Sequence, residues 1–243
     1  MPLKAITFDF WSTLYQPKTV DYSQRLLRLK ESLEQGSQTE FTVEQMEAAV
    51  KTARETWSRT WIERHWTMSA AEWLAVILNV LNISLDPKYV TEIQTRLETS
   101  VLSNLPTLTP EVEQVLADLA TRYRLAIISD TGITPGWVLR QILAQDNLIN
   151  YFTHLTFSDE IGRSKPHPDA FLTTLNALNV TPAEAAHVGD LLRTDIAGAK
   201  GIGMRAIQYI GVSYDNGADP AITIEPDAVI KNHIELKPLL QSW

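Results

Sequence analysis

The 243-residue sequence has no cysteine, which excludes disulfide bonds and thiolate metal sites and is compatible with a reducing compartment. It has no hydrophobic run long enough to span a bilayer, since its most apolar stretch covers only residues 73–81. Positive charge is not in excess either: 21 lysines and arginines stand against 29 aspartates and glutamates, so nucleic acid is not expected as the main partner. The first residues show no signal-peptide pattern, and we expect a cytoplasmic protein without membrane association.

What the chain does contain is a series of short stretches rich in strand-forming residues. They are residues 4–10, 125–130, 154–158, 185–190 and 205–210. Segments of helical character separate the last four, and this alternation is typical of an α/β protein with a parallel sheet. Thr109 is followed by Pro110 and Glu111, a pattern that predicts an N-cap with proline and an acid in the first turn. Thr181 and Glu184 predict a capping box, with Pro182 at the first helical position.

No strand pattern occurs between about residues 16 and 105. Apolar residues recur there at three- and four-residue spacing along residues 43–61, which predicts one face of a long helix. Ser69 and Glu72 form a capping box before an apolar helix, and Asp86 begins another helix that reaches about residue 100. Residues 34–40 are expected to form a loop.

Asp9 ends the first predicted strand, and two hydroxyl residues, Ser12 and Thr13, follow it closely. Open α/β sheets present their reactive groups just beyond the carboxyl ends of their strands, so Asp9 is the leading candidate for chemistry. Ser129, at the end of the second predicted strand, lies in the same kind of position.

These segments, together with two further ones, resemble the four motifs of the haloacid dehalogenase (HAD) superfamily, in the same order. The residues that carry the resemblance are Asp9 and Thr13, Ser129, Lys165, and Gly189, Asp190 and Asp195. The resemblance implies a Rossmann-like parallel sheet formed by residues 1–15 and 106–243. It also implies an all-helical cap, of the type that the family calls C1, formed by residues 16–105.

The resemblance further implies a hydrolase that acts on a small phosphorylated metabolite through an aspartyl phosphate on Asp9 and uses Mg²⁺. It assigns the metal to the side chains of Asp9 and Asp190 and to the main-chain carbonyl of Trp11, with Asp195 as a ligand or just behind the ligands. Carboxylate oxygens suit this cation, which takes only one or two protein carboxylates and keeps several waters. The protein is expected as a monomer or homodimer.

For the phosphoryl group, the resemblance implies hydrogen bonds from Ser129 and Thr13 and charge neutralisation by Lys165. Such positioning and electrostatics carry most of phosphoryl transfer. Three more residues, next to these in sequence, are expected to contact the substrate. They are Ser12, Asp130 and Thr131.

Trp11 departs from the pattern, because the family's phosphatases carry a second aspartate there, which protonates the leaving group and then activates water. An indole cannot do this. Acid–base help contributes typically about 10²–10⁴-fold, so slow turnover of alkyl phosphates is expected unless another group substitutes. The candidates for that role are Asp130, His167, Glu63 and His65.

Two alternatives stay open. The family's 2-haloacid dehalogenases also lack the second aspartate and often carry an aromatic residue there, which would make the protein a metal-independent dehalogenase. Those enzymes have neutral residues in place of Gly189 and Asp190, however, and the acidic cluster retained here would be costly to bury without a cation. The sequence therefore favours a phosphatase. The second alternative is a protein that binds a metal or phosphate without catalysis.

Overall fold

The computed structural model of the chain describes residues 2–212 and 223–243. The strands are, in chain order, β1 (Ala5–Phe8), β2 (Tyr15–Gln16), β3 (Thr107–Leu108), β4 (Arg124–Ser129), β5 (Phe152–Phe157), β6 (Ala185–Gly189), β7 (Arg205–Tyr209) and β8 (Ala228–Ile230). Within the described residues, six of them form a parallel sheet in the order β5-β4-β1-β6-β7-β8. β2 and β3 pair separately as a short antiparallel ribbon.

The helices lie between and around these strands. They are α1 (Tyr22–Ser37), α2 (Val43–Arg64), α3 (Ala70–Val80), α4 (Pro87–Thr99), α5 (Val112–Leu119), α6 (Gly136–Gln145), α7 (Ser158–Ile161), α8 (Pro168–Leu178), α9 (Ala197–Gly201) and α10 (Leu236–Gln241). A π-helical turn covers Leu192–Ile196, and short 3₁₀ turns cover Ser100–Ser103, Ile149–Tyr151, Pro182–Glu184 and His233–Glu235. No helix in the described part of the chain is both long and apolar enough to cross a membrane.

The parallel sheet is covered on both faces, because successive side chains of a strand point to opposite sides. On one face, Ile6 and Phe8 of β1 belong to a cluster that includes residues of α5 and α6. On the other face, Ala5 of β1 and Ala126 of β4 belong to a cluster with residues of α8, such as Phe171. Every strand predicted from the sequence is present, and the α/β class is confirmed.

The helices α1–α4 and the 3₁₀ turn that follows them form what we call the helical unit, residues 22–103, inserted between β1 and β4. It has its own apolar cluster, built around Leu33, Met46, Leu74 and Ile77. The predicted long helix is α2, and the capping box at Ser69 begins α3 as expected.

The loop predicted over residues 34–40 is wrong in its first half, since α1 continues to Ser37. Gly36 is a poor helix former by itself, but a Cβ at this position would lie only 3.1 Å from Leu85 and 3.2 Å from Tyr89. The absence of a side chain therefore lets α1 pack against this neighbouring segment, and tertiary packing overrides local propensity.

Thr109 is not an N-cap, contrary to the prediction. α5 begins later, after Glu111 in a left-handed conformation, and the Thr109 hydroxyl donates instead to the carbonyls of Thr13 and Leu14, at 2.9 and 3.0 Å. It thereby ties the returning chain to the segment after Asp9. Thr181 does form its capping box, but on the single 3₁₀ turn before β6.

His233 is a buried imidazole, 1% exposed, whose two ring nitrogens have no hydrogen-bond partner in the described residues. Burial lowers its pKa to about 4 from 6.5, so the unfolded chain takes up this proton first as the pH falls. We therefore expect the free energy of unfolding to decrease by about 2 kcal/mol between pH 6.5 and pH 5 through this residue. Urea titrations of the parent and of His233→Phe across this range measure the difference.

His154→Phe is the control, because His154 is only partly buried and its removal should change the pH dependence much less. Equal pH dependence in the parent and His233→Phe would contradict the prediction.

Candidate active site

The site lies where three neighbouring strands end. β4, β1 and β6 lie side by side in the sheet, with Phe8 of β1 paired to residues of both neighbours. Asp9 therefore leaves β1 next to the ends of β4 and β6, which carry Ser129 and Asp190. Successive strands are added outward on both sides of β1, which makes this point the topological switch where open α/β sheets bind ligands.

Lys165 reaches this edge from the segment between α7 and α8. Its ammonium donates to Asp9 Oδ1 and to Asp195 Oδ1, both at 2.6 Å, and the residue is only 2% exposed. Burial by itself would lower the pKa of Lys165, but the carboxylates of Asp195 and Asp9 outweigh it and raise the pKa. The lysine is therefore held as a cation between the two acids.

Asp195 is surrounded by donors. Its Oδ1 accepts Lys165 Nζ and contacts His187 Nε2 at 3.0 Å, and its Oδ2 accepts the Leu191 N–H at 3.0 Å and the Thr194 hydroxyl at 3.2 Å. Burial would raise the pKa of Asp195, but Lys165 and the hydrogen bond with His187 hold it well below its usual value. Asp195 is consequently a permanent anion with its oxygens occupied by the protein.

The local backbone explains the Gly-Asp spacing before Asp195. The chain passes from Gly189 through the π-helical turn Leu192–Ile196, and Asp195 folds back over the end of β6. A Cβ at Gly189 would collide with the Asp195 carboxyl, so only glycine fits beneath it. The glycine before Asp190 in the fourth motif is therefore required by the packing of Asp195 against it.

The pKa values of Asp9 and Asp190 are raised, whereas that of Asp195 is lowered. Burial raises the pKa of Asp9 to about 7, with Lys165 opposing and Asp195 reinforcing the shift. Burial also raises the pKa of Asp190 to about 8, and the charges of Asp195 and Asp9 raise it further. Both carboxyls are less than one-tenth exposed, so neither can rely on water for its charge.

Together these acids form a cluster that can hold a cation. Oxygens of Asp9, Asp190 and Asp195 lie within 4.8 Å of one another. With all three carboxyls ionised, a single ammonium leaves an excess of two negative charges, 3 minus 1, and buried charge of this kind needs a partner. A divalent cation bound by carboxylate oxygens matches both the charge and the donor type, and Mg²⁺ has these preferences.

The residues after Asp9 line the same edge. Ser12 adopts a left-handed backbone conformation with φ of 57°, and its N–H donates to the Tyr15 carbonyl at 2.7 Å. The Thr13 hydroxyl is buried and has no hydrogen-bond partner in the described residues. Trp11 is partly buried, packs its ring edge-on against Phe10 and lines a cavity of about 810 Å³ that extends towards α1 and α4.

Ser129, Asp130 and Thr131, at the end of β4 and just after it, are held by different contacts. Ser129 is 2% exposed, and Thr131 is tied to Ser158, whose hydroxyl accepts the Thr131 N–H at 3.0 Å. Asp130 Oδ1 accepts the Lys165 N–H at 3.0 Å, and its Oδ2 accepts the indole N–H of Trp61 at 2.7 Å. Both oxygens of Asp130 are thus used as acceptors inside the protein.

Two members of this neighbourhood were not predicted from the sequence. His187 lies within β6 and contacts Thr7 Oγ1 through Nδ1 at 2.8 Å and Asp195 through Nε2. Burial lowers its pKa, which keeps the ring neutral. The only feature of the sequence that could have indicated a role for His187 is its position as a polar residue within an apolar strand. Trp61 had no distinguishing signal, because its spacing is that of a buried helix face.

Comparison with known proteins identifies the family. The model of the haloacid dehalogenase-like hydrolases matches residues 3–203. The glyceraldehyde 3-phosphate phosphatase of Pyrococcus furiosus is 38% identical over 111 residues, which are 43% of this chain and 45% of that protein. The chain matches between 35% and 45% of the length of the first three curated relatives, so the likeness covers less than half of each.

Two solved structures share the fold over almost their whole length. A HAD phosphatase from Thermococcus onnurineus has a TM-score of 0.68 at 23% identity, with 98% of both chains covered. A 2-haloacid dehalogenase from Pseudomonas syringae pv. Tomato has a TM-score of 0.66 at 24% identity, with 99% of both chains covered. At such identities the likeness concerns the fold. With the matched family model, the sheet topology and the four motifs in order, this chain belongs to the haloacid dehalogenase-like hydrolases.

Proposed function

We propose that this protein is a Mg²⁺-dependent phosphatase of small phosphorylated metabolites, with Asp9 as its nucleophile. The observation that carries the proposal is the buried acidic cluster, in which Lys165 neutralises one charge and two remain. A curated relative named as a glyceraldehyde 3-phosphate phosphatase supports the same reaction class.

The cation would be held by the side chains of Asp9 and Asp190 and by the carbonyl of Trp11. Asp195 has donors on both oxygens, which favours a role in holding Lys165 over direct coordination. When bound, Mg²⁺ supplies positive charge that brings a phosphate dianion against the Asp9 carboxylate.

In the proposed reaction, an Asp9 oxygen forms a bond to phosphorus while the bond from phosphorus to the leaving oxygen breaks. The leaving oxygen takes up a proton from solvent. Water then attacks the phosphorus and loses a proton to solvent as the bond from phosphorus to Asp9 breaks, which releases phosphate and restores the Asp9 carboxylate. Lys165 balances the charge that builds up on the phosphoryl oxygens, and the hydroxyls of Ser129 and Thr13 donate to them. The buried hydroxyl of Thr13, which has no hydrogen-bond partner among the described residues, supports this assignment.

We also propose that the helical unit acts as a cap of the C1 type, within a cap domain of residues 16–105 and beside a core domain of residues 1–15 and 106–243. Its loop between α2 and α3 contacts the Lys165 segment, where the His65 carbonyl accepts the Ser164 N–H at 2.7 Å. The Thr67 hydroxyl lies 2.5 Å from that of Ser158 and 2.6 Å from that of Ser164. A closed cap would exclude water from Asp9 during transfer.

Trp11 lacks the acid–base group, and this defines the first experiment. We expect the parent to release phosphate from acetyl phosphate, whose leaving group departs easily, with Mg²⁺ and not with EDTA. Trp11→Asp should increase turnover of alkyl phosphates by about 10²-fold or more, because it supplies a carboxyl that can protonate the leaving oxygen. Phosphate release from both substrates is measured for both proteins.

Trp11→Asn is the matched control, since it removes the indole equally without supplying an acid. Absence of Mg²⁺-dependent phosphate release from the parent and from Trp11→Asp would contradict the proposal. Phosphate binding by calorimetry without turnover would then favour the non-catalytic alternative.

A second candidate rests on Trp11 itself, because an aromatic residue at this position suits a dehalogenase, which need not protonate a halide. That reaction would displace halide from a 2-haloacid by the Asp9 carboxylate. Halide release that EDTA does not inhibit would favour it over the phosphatase.

A further inference from the structure

Two tryptophans of α2 lie over the end of β4. Trp57 and Trp61 stack with ring centroids 5.3 Å apart, one helical turn from each other. They differ in one respect: the indole N–H of Trp61 donates to Asp130 at 2.7 Å, whereas that of Trp57 is buried without a hydrogen-bond partner in the described residues. The Trp61 contact therefore joins the helical unit to the sheet edge at one defined atom.

Asp130 is hydrogen-bonded both to Trp61 and to the main chain of Lys165. Its other oxygen accepts the main-chain N–H of Lys165 at 3.0 Å, so one carboxylate is held by the helical unit on one side and holds the lysine backbone on the other. The Lys165 side chain must reach both Asp9 and Asp195 at 2.6 Å. Whether the Lys165 ammonium reaches both carboxylates therefore depends on the position of the Lys165 main chain, which Asp130 holds.

Trp61 also touches the opposite wall of the site. The guanidinium of Arg193 lies over its ring, 4.0 Å from the centroid. Arg193 belongs to the π-helical turn Leu192–Ile196, which also contains Asp195. A single side chain of the helical unit thus contacts Asp130 at the end of β4 and Arg193 in the turn that carries Asp195.

We propose that Trp61 is a positioning residue for Lys165, acting through Asp130, so that the lysine is fully placed only when α2 is seated on the sheet edge. The inference rests on the proposed function in so far as Lys165 assists phosphoryl transfer. The helical unit would then contribute to the assembly of the site as well as to its closure.

The test compares Trp61→Phe with Trp57→Phe. Each variant keeps an aromatic ring and removes one indole N–H, but only the first removes a hydrogen bond to a carboxylate. We expect kcat for acetyl phosphate to fall about tenfold or more in Trp61→Phe, with KM changed little, and to stay within about twofold of the parent in Trp57→Phe.

Hydrogen exchange gives a readout that does not depend on activity. Mass spectrometry of the peptide that contains Lys165 should show faster amide exchange in Trp61→Phe than in Trp57→Phe or the parent, because the Asp130 acceptor is less firmly held. Absence of phosphate release from both the parent and Trp11→Asp would contradict the proposed function alone, and the exchange comparison would still decide this inference. Equal exchange and equal kcat in the two variants would overturn it.

Should Trp61→Phe fold poorly, the second variant is Asp130→Asn, which weakens the same connection from its centre. Asp130→Asn by itself should also speed amide exchange in the peptide that contains Lys165. Where Trp61→Phe folds, combining both changes should speed this exchange by less than the sum of the single effects. Additive effects would overturn the proposed path through Asp130.

Discussion

Asp9→Asn is expected to reduce phosphate release by at least about 10⁴-fold while the protein folds normally, because an amide cannot form the aspartyl phosphate. The same change should stabilise the metal-free protein at pH 8. Burial raises the pKa of Asp9 to about 7, above its unfolded value of 3.8. The unfolded chain therefore ionises first, and stability is lost as the pH rises through this window.

Urea titrations in EDTA at pH 5 and pH 8 measure the stability effect, with an expected gain of about 1–3 kcal/mol for Asp9→Asn at pH 8. Glu92→Gln is the control, since Glu92 is exposed on α4. Full activity of Asp9→Asn would overturn the role of Asp9 as nucleophile. A stability loss at pH 8 would show that the pair with Lys165 outweighs burial.

Lys165→Met is expected to have the second largest effect. It removes the ammonium between Asp9 and Asp195 and leaves buried carboxylates without their partner. Breaking a buried ion pair in this way typically costs about 3–5 kcal/mol in the free energy of unfolding. Phosphate release should fall about 10³-fold or more, because the ammonium that balances charge on the phosphoryl oxygens is lost.

Lys200→Met is a matched control, because Lys200 also lies 2.6 Å from an aspartate, Asp227, but in a solvent-accessible pair. Its loss should cost no more than about 1 kcal/mol and leave activity unchanged. Similar losses of stability and activity in the two variants would contradict the assignment of a special role to Lys165.

The sheet and the charged members of the site could be predicted because each rests on a local pattern. Asp9, Ser129 and Asp190 follow apolar strands directly, and parallel strands bring their carboxyl ends to one edge. The wrong predictions concern positions where packing against residues distant in the sequence determines the secondary structure. Gly36 continues a helix because α1 packs closely against the segment that carries Tyr89.

The connections inside the site were beyond local patterns. His187 of β6 contacts Asp195 because the chain turns back over the end of β6. Trp61 donates a hydrogen bond to Asp130, which is 69 residues away in the sequence. The contact of Trp61 depends on how α2 packs against the sheet, which spacing along the sequence does not encode. The missed strand β8 is only three residues long, too short for an alternating pattern to stand out.

The ribbon formed by β2 and β3 has a thermodynamic consequence. Tyr15 pairs with Leu108 and Gln16 with Thr107, so the chain leaves for the helical unit and returns from it about 5 Å apart. The entropy lost in closing a loop grows only slowly with its length, and here the ribbon closes the insertion at its base. Joining β1 to β4 across the insertion therefore costs only a few kcal/mol more than closing a short hairpin, at about 0.6 kcal/mol for each doubling of loop length. Changes of length in the helical unit alter that cost only slightly.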